Sequence, residues 1–200
     1  MILESYGSLL LTTLLLLGSP GPATMALAAT GANVGVRKGL PFLCGLLLGL
    51  SIVIVGASLG ISTLFSTFPQ SKYFFQILGA TYIVFIAWKI ARAPFLPRSE
   101  TAESAAPSLL NGMIFNLLNP KAYIAFAAIF SQALLPYTDV IMAYLVTGFL
   151  CFVVATIVDV VWLVFGGILR PMLNDTVYSK IIGLTFSVLM VLSVGLSAFF

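Results

Sequence analysis

Leu9-Leu10-Leu11-Thr12-Thr13-Leu14-Leu15-Leu16-Leu17-Gly18-Ser19-Pro20-Gly21-Pro22-Ala23-Thr24-Met25-Ala26-Leu27-Ala28 is an apolar run long enough to cross a membrane, with two prolines and a glycine set near its middle. Proline removes a backbone donor and its ring clashes with the preceding turn, so Ser19-Pro20-Gly21-Pro22 predicts a helix split in two. Inside a bilayer, unpaired backbone is tolerated only against protein or a polar cavity, which makes the break a candidate site. A second interruption, Asn119-Pro120-Lys121, lies within a later apolar run.

The rest of the chain has the same character. Of 200 residues, 60% are hydrophobic and 8% charged, against ~25% charged in a soluble domain. This predicts an all-α, polytopic membrane protein. Leu9 to Leu17 and Ala26-Leu27-Ala28 resemble a signal-peptide core and its cleavage site. Glu4, however, stands where positive charge belongs and the apolar run continues past the break, so the segment reads as a membrane helix. The chain has no histidine, which excludes a His-based metal centre and the usual Ser/His hydrolase. No cofactor, metal or catalytic set is expected, and the net charge of +3 gives no ground for a nucleic-acid partner. Cys44 and Cys151 read as small packing residues in apolar runs.

At about 20 apolar residues per span, six spans are expected at roughly 7–31, 40–62, 73–92, 110–133, 141–168 and 177–199. The stretch 93–109 carries Pro94, Pro97, Arg98, Ser99, Glu100, Glu103 and Pro107 and reads as a flexible loop. It divides one transmembrane domain, 1–200, into halves of approximately 1–92 and 110–200. Arg37, Lys38, Lys89, Arg92, Arg98, Arg170 and Lys180 fall on one side of the membrane and Lys72 alone on the other. The positive-inside rule makes the first side cytoplasmic and places both termini outside, in a multi-pass inner-membrane protein.

Three spans per half give the halves opposite orientations, the arithmetic of an inverted repeat. In such transporters a pair of Gly/Pro-interrupted helices in corresponding positions points to the substrate site. Spans one and four, each the first of its half, carry the two breaks. Ser19-Pro20 (or Gly21-Pro22) and Asn119-Pro120 each read as the start of a new helix within the membrane, since Ser and Asn favour N-caps and Pro the first helical turn. Two such N-termini, with the Lys121 ammonium beside one, form a candidate cradle for an anionic group. The plainer reading is a pair of packing kinks.

Lys121 and Asp159 are the charges deepest in the spans, and intramembrane charges are functional candidates by default. Either Asp159 takes the ammonium of a zwitterionic substrate or a coupling proton while Lys121 faces a carboxylate, or the two form an ion pair joining spans four and five. Asn116 and Asn119, three apart, share a helical face and either line the cavity or bond to neighbouring helices. The substrate-binding candidates are therefore Ser19, Pro20, Gly21, Pro22, Asn116, Asn119, Pro120, Lys121 and Asp159. Gly45, Gly49, Gly56 and Gly60 form a stripe that admits another backbone, in the chain or in a homodimer.

With these residues in place the chain resembles the lysine exporter (LysE/RhtB) family of amino-acid exporters. The resemblance is carried, in order, by Ser19-Pro20-Gly21-Pro22; by Gly35 and Gly39 around Arg37-Lys38, leading to Gly45 and Gly49; by Gly79-Ala80-Thr81-Tyr82 through Trp88-Lys89; and by Asn116-Leu117-Leu118-Asn119-Pro120-Lys121-Ala122. It implies a six-helix secondary exporter of amino acids or close derivatives, driven by a cation gradient such as protons. Two departures stand out: Leu50 where members often carry an acid, and Ala23 where they often carry a polar residue. The rival readings are export of another small metabolite or ion, and a membrane scaffold without transport. An enzyme is disfavoured because no base is available to activate a nucleophile.

Overall fold

The computed structural model describes residues 2–60, 69–92 and 107–199, and these are helical with no strand among them. Most of the expected 93–109 loop lies outside the described residues. In chain order the helices are α1 (Ile2–Gly18), α2 (Pro22–Val34), α3 (Val36–Ser58), α4 (Pro69–Arg92), α5 (Leu109–Leu117), α6 (Pro120–Gln132), α7 (Val140–Leu169) and α8 (Thr176–Phe199), with a 3₁₀ turn at Arg170–Asn174.

Both expected breaks are present. α1 and α2 meet at a bend of 60°, and α5 and α6 at one of 59°. Gly21 and Asn119 are the N-caps, with Pro22 and Pro120 at the first helical position. Of the two starts open for the first break, Gly21-Pro22 is therefore the one used. The sequence predicts a connection of several residues between spans one and two, but Gly35 alone separates α2 from α3. Its φ of 83° lies in the left-handed region that glycine adopts without a Cβ clash. Arg37 and Lys38 consequently belong to the first turn of α3.

α3 and the continuous Val140–Met172 segment are each long and apolar enough to span a membrane, and each bent pair supplies one further span if counted as one. α4 and α8, 24 residues each, contain the apolar stretches Ala80–Ala91 and Lys180–Ser193. The chain is a multi-pass membrane protein.

Lipid is as apolar as a leucine side chain, so helices associate here through close packing, which favours small residues at crossings. A Cβ built on Gly45 would lie 1.9 Å from the Leu109 carbonyl oxygen, and one on Gly112 2.1 Å from that of Phe42, fixing α3 against α5. Gly31 and Gly166 do the same for α2 and α7, with a Cβ falling 2.1 Å from the Leu163 oxygen and 1.9 Å from the Ala28 oxygen. Two members of the expected stripe, Gly45 and Gly49, are thus occupied within the chain. Gly45→Ala and Gly166→Ala are each expected to cost at least ~1–3 kcal/mol, because the obstacle is backbone. A lowered thermal midpoint in detergent checks this, with Gly7→Ala as the control, since nothing lies within 4 Å of a Cβ there.

Two apolar clusters fill the interior. One joins α2, α3, α4, α7 and α8 around Leu27, Leu46, Ile83, Leu163 and Met190; the other joins α1, α3, α6 and α7 around Leu9, Val53, Phe126 and Ile129. Cys151 is buried in the second, its Sγ 3.3 Å from Thr13 Oγ1. Cys44, expected to pack, faces outward because its helical position lies off the buried side of α3.

Candidate functional site

Proline chemistry predicts which carbonyls the first break orphans. Pro20 and Pro22 have no N–H, so the oxygens of Leu16 and Gly18 lose their helical donors four residues on. Both are satisfied otherwise: Ser19 Oγ donates to the Leu16 oxygen at 3.1 Å, and Trp162 Nε1 to the Gly18 oxygen at 3.4 Å. The next carbonyls are reached from the other break. Lys121 Nζ donates to the Ser19 carbonyl oxygen at 2.9 Å, to Ser19 Oγ at 2.8 Å and to the Pro20 carbonyl oxygen at 3.4 Å. An ammonium at the negative end of the α1 dipole is well placed, whereas the first turn of its own helix would repel it.

The two breaks are thus directly joined, and the Lys121 to Asp159 ion pair that the sequence left open is not formed. Lys121 reaches α1 instead, across the space left by the missing side chain of Gly21. A Cβ there would stand 2.7 Å from Nζ and 2.9 Å from Lys121 Cδ. Gly21 is itself extended, with φ of −164°, so alanine would fit its backbone and act only through the ammonium. Gly21→Ala is expected to keep the fold but to displace Lys121 from Ser19, lowering transport about tenfold, the equivalent of one such charge-assisted bond, with a modest fall in the thermal midpoint. Initial rates in proteoliposomes measure it.

The N-termini of the two half-helices differ. At α6, Asn119 Oδ1 accepts from the Lys121 N–H at 3.2 Å and the Asn119 carbonyl from the Ala122 N–H at 3.2 Å, so its first donors are taken. At α2, Thr24 Oγ1 accepts from the Gly21 N–H at 2.8 Å and donates back to the Gly21 oxygen at 3.1 Å. The Ala23 N–H finds no acceptor among the described residues. Asn116 ties α5 to α3, with Nδ2 donating to the Leu46 oxygen at 2.9 Å while its Oδ1 receives Asn119 Nδ2 at 3.5 Å.

Asp159, on α7, is 8% exposed and has neither hydrogen-bond nor ion-pair partner among the described residues. It lines a cavity of about 40 Å³ together with Gly21, Asn116, Asn119 and Lys121. Ser19 and Pro20 touch this group through the ammonium, and Pro22 and Pro120 are buried at the helix starts behind it. The remaining wall is Leu17, Ala23, Thr24, Leu50, Ala122 and Ala155. At ~10–15 Å³ of such space per water, about three waters fit, and an amino acid enters only if the helices part.

Sequence reasoning missed Thr24 as the cap of Gly21, although a hydroxyl three residues past an N-cap position is the signal for it. It also missed the tie from Trp162 to Gly18, which no local pattern announces. Leu50 and Ala23, noted for what they lack, both face the cavity.

Broken helices facing one polar cavity in a multi-pass helical protein are the features of a membrane transporter. The chain matches the LysE type translocator family model over residues 14–198 and belongs to that family. It is 33% identical over 164 residues to the homoserine/homoserine lactone efflux protein of Salmonella typhimurium, covering 79% of this chain and 78% of that one. The Salmonella typhi protein of the same name is 34% identical over 164 residues, with coverage of 79% and 78%. The leucine efflux protein of Salmonella choleraesuis is 28% identical over 161 residues, covering 78% of this chain and 73% of its own length. No solved structure matches the chain.

Proposed function

We propose that the protein is a secondary exporter moving amino acids or close derivatives out of the cytoplasm across the inner membrane, by alternating access coupled to a cation such as a proton. The observation that carries this reading is Asp159, a buried carboxyl with no partner among the described residues, facing the same cavity as Lys121 and both helix breaks. A carboxylate without a counter-charge in a low dielectric costs several kcal/mol, so it is poised to take a cation, whether a substrate ammonium or a coupling proton. The Ala23 N–H at the positive end of α2 and the Lys121 ammonium lie on the carboxyl side of the bound molecule, with Ser19, Asn116 and Asn119 holding that side in place. Membership of a translocator family, with relatives named for efflux of homoserine, its lactone and leucine, supports the substrate class.

In this reading α4 and α8 are the third and sixth spans, the bent pairs the first and fourth, and the halves 1–92 and 110–200 form one inverted repeat rocking about the cavity. Both termini lie outside, by the distribution of lysine and arginine. The test is efflux of an amino-acid panel from proteoliposomes with and without a pH gradient. Gradient-dependent release of at least one amino acid is expected; if none leaves under any gradient, the proposal is wrong.

A further inference from the structure

The cavity lies between two seals of different make. Along α7, Ala155 and Asp159 face it, with Leu163 and Gly166 to one side and Thr147 and Cys151 to the other. On the first side α2 meets α7, and α3 meets α5, backbone to backbone: a Cβ on Gly31, Gly45, Gly112 or Gly166 would stand 1.9 to 2.1 Å from a carbonyl oxygen of the facing helix. Contacts this close are not released by turning a side chain, so that end holds together as a block. On the second side the described contacts run between side chains. A Cβ on Gly148 would meet only Ile54 Cγ2 at 2.9 Å and Phe130 Cζ at 3.8 Å, and α1 touches α7 where Thr13 Oγ1 lies 3.3 Å from Cys151 Sγ. At the rim of this second side the hydroxyls of Tyr6 on α1 and Tyr137, between α6 and α7, share an exposed hydrogen bond of 2.6 Å.

α1 is also weakly tied to the helix that follows it. Pro20 and Pro22 have no N–H, the Gly21 N–H goes to Thr24 Oγ1, and the Ala23 N–H has no acceptor among the described residues, so nothing in 20–23 bonds back into α1. Its last carbonyls are held instead by Lys121, through the oxygens of Ser19 and Pro20. Resting on the export reading, we infer that α1 is the gate through which substrate leaves the cavity, and that the hydroxyl pair of Tyr6 and Tyr137 is its latch. The helix pivots at the break, where Lys121 holds it, its far end parts from α6 and α7, and the path opens between Thr13 and Cys151. The glycine-packed end stays shut meanwhile. In the orientation proposed above the latched end is the outer one. Either hydroxyl can exchange its partner for water, so the latch biases the gate toward closure by one net hydrogen bond and still lets it open. Tyr6 and Tyr137 are thus positioning residues that set how often the path is open.

Cys151, buried in the seal that must part, reports the motion, and Cys44→Ser makes it the sole cysteine of the chain. Right-side-out membrane vesicles loaded with leucine or homoserine are treated from outside with a membrane-impermeant quaternary-ammonium methanethiosulfonate, which leaves a mixed disulfide on any thiol it reaches. Labelling of Cys151 is expected from this face, and Tyr6→Phe and Tyr137→Phe should each speed it about three- to tenfold, the shift that loss of one net hydrogen bond gives. Leu46→Cys, placed in the opposite seal of a chain that also carries Cys44→Ser and Cys151→Ala, should label at least ~10-fold more slowly from the same face. A Leu46→Cys thiol that reacts as fast as Cys151 overturns the inference. So do labelling rates that neither tyrosine variant changes, even where the thermal midpoint falls, since a packing contact alone would behave that way. Efflux followed in the same vesicles separates the two readings. Leucine exported while Cys151 stays protected sinks the gate alone, and a labelled, tyrosine-sensitive Cys151 with neither amino acid leaving sinks the export reading alone.

Discussion

Asp159→Asn is expected to lower amino-acid efflux by ~30-fold or more while leaving the thermal midpoint unchanged or raised. The two halves of that expectation come from one fact. Asp159 has no partner among the described residues, so its replacement by a neutral isostere breaks no native bond and removes a desolvation penalty. A substrate ammonium or coupling proton, in contrast, loses the carboxylate that faces the cavity. Truncating one member of a buried charge pair costs ~2–5 kcal/mol, which converts to roughly 30- to several thousand-fold. Rates in proteoliposomes and midpoints in detergent are measured on the same preparation. A variant that transports normally, with an unaltered dependence on the pH gradient, would show that Asp159 is an idle buried acid.

What the sequence reveals here is whatever is chemically out of place in an apolar chain. Two prolines flanking Gly21 and the Asn119-Pro120 pair are conspicuous within runs of leucine and alanine, and both bends are where those residues stand. Lys121 and Asp159 are equally conspicuous, and both line the cavity. Which groups they meet was not legible, because that depends on how α6 and α7 pack against the end of α1. Opposite charges on adjacent spans invite an ion pair, yet the Ser19 and Pro20 oxygens at the C-terminal end of α1 compete for the same ammonium and hold it. Recognising the competition requires knowing that the broken end of α1 lies within reach of Lys121. The glycines illustrate the same limit. Gly45 and Gly49 form a visible stripe, but their partner on α5 comes from another part of the chain. The match between Gly31 and Gly166 has no local signal at all. The tight turn at Gly35 was missed because basic residues after it suggested a loop, whereas one residue with positive φ suffices.

Lys121→Met should fail in the opposite manner from Asp159→Asn, losing stability as well as transport. Methionine keeps the apolar stem but leaves the Ser19 and Pro20 carbonyl oxygens without their donor. The half-buried Ser19 oxygen costs ~1–3 kcal/mol when left unsatisfied and the exposed Pro20 oxygen adds little, so a drop of about 1–3 kcal/mol is expected, read as a lower thermal midpoint. Transport should fall by ~100-fold or more, since the cavity also loses its cation and the tie between the two broken helices. Lys121→Arg keeps the charge, but the larger guanidinium must fit where even a methyl group on Gly21 would collide, so it should restore stability only in part. The double variant, Lys121→Met with Asp159→Asn, decides whether the two groups are partners. With the ammonium bound to α1, the stability changes should add to within ~0.3–0.5 kcal/mol, as for sites that share no bond. Had the ammonium served as the counter-ion of Asp159, removal of both charges would recover much of the stability lost with one, and a double variant as stable as wild type would refute the tie to Ser19.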